Sequence, residues 1–385
     1  MLELLCISDL HFGEDYTFLD FPSQWNWDNQ KGLQPFYEEV AKLADLKPDS
    51  EPEVKVNSLV LLGDIFELAT AKIKRAAKSG RNFYDWLFQW LHPARVVYVP
   101  GNHDHVFWMW WLVEPEPGKD NWWRRNPDKV KDKLSEAYKK LKAKTCEPWS
   151  PVGVDGNSWR EELIRYFFGT KARTLPFSLA YPAYWGPTCG PPGYRDRPFR
   201  SIFTHGHLND PTFVRPHESG FIGRAMNWLV KGREKPVNLE DLNHMEKDTW
   251  EFTNKFWYPH TTNVTLGETL YLAALKFEHN NPCRHQARYQ ERYVRELAPD
   301  LKEVDGSFND YYNFLLAALG ERWYETPYAY VYGHTHRGGA LPLDPTLLLY
   351  NTGGWLSIVN DNPIHTHIFA ITSEGTAKMV RVDFS

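Results

Sequence analysis

Five short stretches of this sequence carry residues able to hold metal or phosphate. In chain order they are SDLH with Asp9 and His11, and GDIFE with Asp64 and Glu67. GNHD follows with Asn102, His103 and Asp104, then THGH with His205 and His207, and GHTH with His334 and His336. The donors are carboxylate, imidazole and amide oxygen, with no thiolate. That mixture suits borderline or hard divalent ions such as Mn, Fe, Co or Zn in five- or six-coordinate sites. Seven strong ligands exceed what one ion takes but suit two that share a carboxylate. Two ions about 3.5–4 Å apart can clamp both oxygens of a phosphoryl transfer and generate hydroxide at neutral pH.

Each stretch closes a short run of mostly apolar residues: LELLCIS (2–8), SLVLLG (58–63), RVVYVPG (95–101), RSIFT (200–204) and AYVYG (329–333). Such runs read as strands buried on both faces, and in α/β sheets ligands gather beyond the carboxyl ends of strands. Helical patterns lie between them at PFYEEVAKLADL (35–46) and FYDWLFQWL (83–91). Further strands are predicted at TLLLYNT (346–352), WLSIV (355–359), THIFAIT (366–372) and AKMVRVDF (377–384), the last two joined by a SEGT turn. The expectation is an α/β protein, a two-layered β core flanked by helices. Residues 1–210 and 326–385 form that core, with a Trp- and Pro-rich insertion at about 107–199 in which Asn126 and Pro127 start a helix. Residues 211–325 read as a mostly helical cap inserted between strands.

The motif order DxH, GDxx(D/E), GNH(D/E), strand-end His and GHxH resembles that of the calcineurin-like metallophosphoesterase superfamily, from residue 9 to residue 336. The resemblance implies an α/β/β/α sandwich of two packed mixed β-sheets and a binuclear centre, manganese first among the metals. It implies that Asp9, His11 and His336 hold one ion, that Asn102, His205 and His334 hold the other, and that Asp64 bridges them. His103 would be the non-ligating catalytic histidine, oriented by Glu67 or Asp104. SDLHFG, GDIFE, HGH with Asp210, GHTHRGG and YNTGGW are similar to the branch containing bacterial UDP-2,3-diacylglucosamine hydrolase. GNHD departs from that branch, which has an arginine where this chain has His103. Arg337 and His207 are candidate substrate contacts, a guanidinium being able to pair two phosphate oxygens. Trp355 reads as core packing under the metal loops. The expected reaction is attack by a metal-bridged hydroxide on a phosphodiester or pyrophosphate, with a small or lipid-linked substrate favoured. The alternatives are a nucleic-acid phosphodiesterase and a phosphomonoesterase.

Composition limits the partners. With 385 residues and a net charge of −5, the chain has no overall field to attract nucleic acid or anionic membrane. A local exception is 119–144, where ten basic residues oppose four acidic ones, a charge of +6 beside clustered tryptophans. Such a segment suits nucleic acid or peripheral membrane contact. The four cysteines form no CxxC pair, which suits a reducing compartment. The start MLELLCISDLHFG shows no leader, and no run nears the roughly 20 apolar residues of a membrane span. The expected location is the cytoplasm.

Overall fold

The computed structural model describes residues 1–13, 33–46, 53–68, 71, 73–101, 103–104, 107, 111, 152–153, 158–180, 183–190, 198–206, 327–334, 336, 338–344, 347–355 and 364–384. The chain divides into two compact units, Met1–His205 with Pro327–Ser385, and Gly206–Thr326. The helix predicted at Asn126, the strand at 355–359 beyond Trp355, and the helical character of 211–325 lie outside the described residues.

In chain order the described elements of the first unit are β1 (Leu2–Ile7), α1 (Gln34–Leu43), β2 (Val54–Leu62), α2 (Ile73–Trp90), β3 (Leu91–Val99), β4 (Val152–Gly153) and α3 (Ser158–Phe168). After a short 3-10 turn come β5 (Phe177–Leu179), β6 (Ala183–Cys189), β7 (Phe199–Thr204), β8 (Tyr328–Tyr332), β9 (Gly339–Asp344), β10 (Leu347–Asn351), β11 (Ile364–Thr372) and β12 (Ala377–Phe384). Seven strands form one sheet in the order β12-β11-β1-β2-β3-β5-β4, and five form the other in the order β6-β7-β8-β10-β9. Both are mixed. β1, β2, β3 and β5 run parallel, β4 and β11 run antiparallel to them at either side, and β12 pairs antiparallel with β11. In the second sheet β7, β8 and β10 are parallel between antiparallel β6 and β9.

The double burial expected of the central runs is realised by two different partners. Alternate residues of a strand face opposite ways. Leu4, Cys6, Val60, Leu62, Val97 and Val99 join Phe203, Ala329, Val331, Tyr350 and Phe369 in one apolar cluster between the sheets. The opposite face of the first sheet meets helices rich in aromatic rings. Phe83 of α2 lies 5.2 Å from Phe12 and 6.1 Å from Trp355, and Tyr84 lies 4.9 Å from Phe168 of α3. Trp355 is fully buried, with Phe36 at 5.3 Å and Phe384 at 5.4 Å, and so is a core residue.

Residues 158–190, read from sequence as part of an insertion, supply α3, β5 and β6 to the layers of this sandwich. β5 has three residues, and β6 contains Gly186 and Pro187, so neither shows the long apolar run that marks a central strand. α2 extends ten residues upstream of the predicted 83–91 pattern, over IKRAAKSGRN, where small and basic residues replace the apolar stripe.

The helices differ in charge placement. α3 has Glu161 in its first turn and Arg165 in its last, and α1 has Lys42 in its last, all matching the helix dipole. α2 has no acid in its first turn and no base in its last. Instead Lys74, Arg75 and Lys78 crowd its first two turns, where a cation is disfavoured and like charges at i,i+4 repel by about 0.2–0.5 kcal/mol.

The aromatic layer under the first sheet predicts that Phe83→Ala lowers stability by about 3–5 kcal/mol through lost burial and a residual cavity. Thermal or denaturant unfolding checks this; a shift under about 1 kcal/mol would mean that the layer does not depend on this ring.

Candidate metal centre

The strands stop, but their hydrogen-bonded ladder does not. Asp9 N–H donates to Gly63 O at 3.0 Å, His11 to Asp64 O at 2.9 Å, and Phe12 to Ile65 O at 3.0 Å. Glu67 N–H returns to Phe12 O, Leu68 N–H reaches His103 O, and Gly333 N–H reaches His205 O. The loops after β1, β2, β3, β7 and β8 are therefore tied to one another.

Six described non-glycine residues have positive φ, and five are candidates from the motifs: Asp9 (52°), His11 (48°), Asp64 (48°), His334 (71°) and His336 (56°). The sixth, Asp45, follows the end of α1. A left-handed backbone costs such residues about 1–3 kcal/mol each and persists where the surroundings demand it. Two glycines make room. A Cβ on Gly101 would strike the Asp64 carboxylate, and one on Gly333 would strike that of Asp9.

The side chains converge in overlapping groups. Asp9, His11 and His336 each offer one ligand atom, and these atoms lie within 4.8 Å of one another. The same holds for Asp64, His205 and His334, and for His11, Asp64 and His103. Asp64 Oδ2 stands 3.0 Å from His205 Nε2 and 3.9 Å from His11 Nε2, between the first two groups. His336 Nε2 is 3.0 Å from His11 Nε2 and 3.4 Å from Asp9 Oδ1. Ring nitrogens turned toward each other beside a carboxylate fit a shared cation, so the donor set suits a metal.

Charge follows from this geometry. Burial alone would raise the Asp64 carboxyl, but His205, His103 and His11 outweigh it and hold it well below the usual range. Asp9 likewise is pushed up by burial and pulled down further by His205 and His336. His205 is lowered by burial, yet the adjacent Asp64 carries it up to about 9. Burial lowers His11 despite its contact with Glu67. The result is two buried anions ringed by imidazoles.

Glu67 and Asp104 support this arrangement differently. Glu67 Oε2 lies 2.6 Å from His103 Nδ1 and 3.3 Å from His11 Nδ1, so one buried oxygen orients both rings. Asp104, by sequence a candidate orienting partner of His103, instead turns into the protein and is fully buried. Its Oδ1 accepts from Gly101 N–H at 2.6 Å, and its Oδ2 from Ile65 N–H at 2.7 Å, Phe66 N–H at 3.3 Å and the Tyr98 hydroxyl. It ties the GDIFE loop to the GNHD loop rather than facing the gathered donors. Backbone amides hold the carboxylates too, His103 N–H donating to Asp64 Oδ1 at 2.8 Å and His334 N–H to Asp9 Oδ1 at 2.9 Å.

Two participants carried no signal in the sequence. Tyr98 read only as a strand residue, and Thr352, whose hydroxyl meets that of Ser8 at 2.5 Å, is 344 positions from its partner. Asn102, His207, Arg337 and the segment 119–144 lie outside the described residues.

The chain matches solved structures at low identity. One is a 5'-nucleotidase from Candida albicans, with 10% identity, TM-score 0.30, 99% of this chain covered and 52% of that one. Another is a dimetal phosphatase from Danio rerio, with 11% identity, TM-score 0.31, and 99% and 98% covered. The chain thus spans about half the length of the nucleotidase. No curated protein matches. Residues 2–338 match the family model described as calcineurin-like phosphoesterase, which joins every motif gathered at these strand ends. The chain therefore belongs to the calcineurin-like phosphoesterase family.

Proposed function

We propose that this enzyme hydrolyses a phosphodiester or pyrophosphate bond at a two-metal centre, manganese being the first candidate. The observation that carries this is the Asp64 carboxylate, placed between a group of Asp9, His11 and His336 and a group of His205 and His334. Asp9, His11, Asp64 and His336 would hold one ion, and Asp64, His205, His334 and Asn102 the other. When bound, such a pair lowers the pKa of water and neutralises charge on phosphoryl oxygens.

The chain's own groups then have distinct tasks. The buried carboxylates of Asp9 and Asp64 are ionised before any cation arrives, because the surrounding imidazoles stabilise their charge. His103 and His336 retain 17% and 23% side-chain exposure while His11 and His205 are almost sealed, which marks the open side of the site. With Nδ1 held by Glu67, His103 presents its other nitrogen for a proton or hydrogen bond to a phosphoryl or leaving oxygen. The imidazoles of His103 and His11 outweigh burial at Glu67 and hold its carboxyl well below the usual range, so it orients His103 as an anion.

Chelator-stripped protein restored with Mn²⁺ is expected to hydrolyse bis-p-nitrophenyl phosphate faster than p-nitrophenyl phosphate; the reverse order would make a phosphomonoesterase the better reading. Asp64→Asn should lose more than about 100-fold in activity, together with bound metal measured by elemental analysis. Full activity and full metal content in that variant would sink the bridging role. His103→Ala should lower kcat by about 10²–10⁴ with metal content intact. Glu67→Gln should lower activity or metal affinity by about 10–100-fold, and equal loss of metal in both variants would contradict separate roles.

A further inference from the structure

The two groups that meet at Asp64 are assembled from both sheets. Asp9, His11 and Asp64 follow β1 and β2 of the first sheet, whereas His205, His334 and His336 follow β7 and β8 of the second. A set of ligands works only when held to within about 0.5 Å, so the spacing of the sheets at this end is part of the site. The cluster between the sheets is apolar. Apolar contact has no direction, so it draws the sheets together without fixing where one strand end stands against another.

The residue after β10 supplies a directional tie. Thr352 is fully buried beside the ends of β10 and β8 in the second sheet. Its hydroxyl lies 2.5 Å from that of Ser8, the residue after β1 in the first sheet. Counting protons gives the direction of this bond. Thr352 Oγ1 donates to Tyr332 O at 3.1 Å, and a hydroxyl has one proton to give, so Ser8 donates and Thr352 accepts. Gly353 O, at 3.3 Å from Ser8 Oγ, is a second and weaker acceptor. The backbone repeats the tie. Thr352 N–H donates to Tyr332 O at 2.9 Å in its own sheet, and Thr352 O accepts from His367 N–H of β11 at 3.2 Å in the other. One residue thus joins the ends of β1 and β8 to β11.

This clasp borders the Asp9, His11 and His336 group. Asp9 adjoins Ser8, and its carbonyl accepts from Trp355 N–H at 3.1 Å. A Cβ on Gly354 would stand 3.0 Å from the His336 side chain. One on Gly333 would strike both the Asp9 carboxylate and the Ser8 hydroxyl, which therefore share one gap. His205 takes its orientation elsewhere, with Nδ1 3.1 Å from Leu62 O.

We propose that Thr352 is a positioning residue, whose hydroxyl bond to Ser8 sets the sheet spacing for the ion held by Asp9, His11 and His336. This role presupposes the two-metal reading and is tested on metal uptake rather than turnover. Mn²⁺ is titrated into the chelator-stripped full chain by isothermal calorimetry, and the bound ions are read by low-temperature EPR. The wild type should take up two ions and show an exchange-coupled signal. Thr352→Val matches threonine in size but lacks the hydroxyl. It should weaken one ion by about 10–100-fold, with the coupled signal giving way to that of isolated Mn²⁺. Thr352→Ser should restore both. Added to His336→Ala, which already removes a ligand of that ion, Thr352→Val should cause no further loss; added to His205→Ala, its effect should persist in full. Ser8→Ala removes the same bond from the other sheet and should weaken the same ion, which supplies the readout if the valine variant does not fold. Fewer than two ions in the wild type overturns the two-metal reading and this role with it. With two ions in the wild type, unchanged uptake by Thr352→Val and Ser8→Ala, equal weakening of both ions, or a serine variant as impaired as valine overturns the positioning role alone.

Discussion

Two carboxylates buried beyond reach of water, Asp9 and Asp64, set the terms for this structure. A buried ionised carboxylate is prohibitively costly unless it is paired and hydrogen-bonded. Here the pairing comes from His11, His205 and His336, and the hydrogen bonds from the His103 and His334 amides. That charge balance requires five loops to meet within a few ångströms. It explains the ladder continued past the strands, the left-handed backbone at five motif residues and the glycines at Gly101 and Gly333.

The fold meets this requirement by placing the strain where the scaffold is stiffest. β1, β2 and β3 are parallel, in register and covered on both faces, by the second sheet on one side and an aromatic layer on the other. Rigid strands can carry strained termini because neighbouring ladders determine where the chain must go. The Asp104 carboxylate extends the same logic into the loops, collecting three amides and a tyrosine hydroxyl so that the β2 and β3 loops hold one relative position.

Support and reactivity are divided between acids that look alike in sequence. Asp104 and Glu67 are both fully buried, yet their surroundings differ in sign. Burial and the nearby Asp64 push Asp104 up to about 6, whereas the imidazoles of His103 and His11 outweigh burial at Glu67 and keep it ionised. One acid faces amide dipoles and a phenol, the other faces imidazoles. That difference makes Glu67 the partner of the half-buried His103 and leaves Asp104 as a tie between loops.

Motif chemistry was legible in the chain itself, because ligand types and strand-end punctuation are local and survive being read in one dimension. The central strands β1, β2, β3, β7 and β8 were legible for the same reason, since burial on both faces writes an unbroken apolar run. β5 and β6 were not, being short or broken by glycine and proline, and their strand state comes from pairing with β3 and β7. Nor could sequence separate Glu67 from Asp104, each of which lies close in sequence to a metal candidate. Their roles depend on which way a side chain leaves a loop, and that direction is set by partners such as Tyr98, His11 and the Ile65 amide. The types of the donors belong to the sequence. Their distances, charges and division into two groups exist only once residues as far apart in sequence as His11 and His336 come within 3.0 Å of each other.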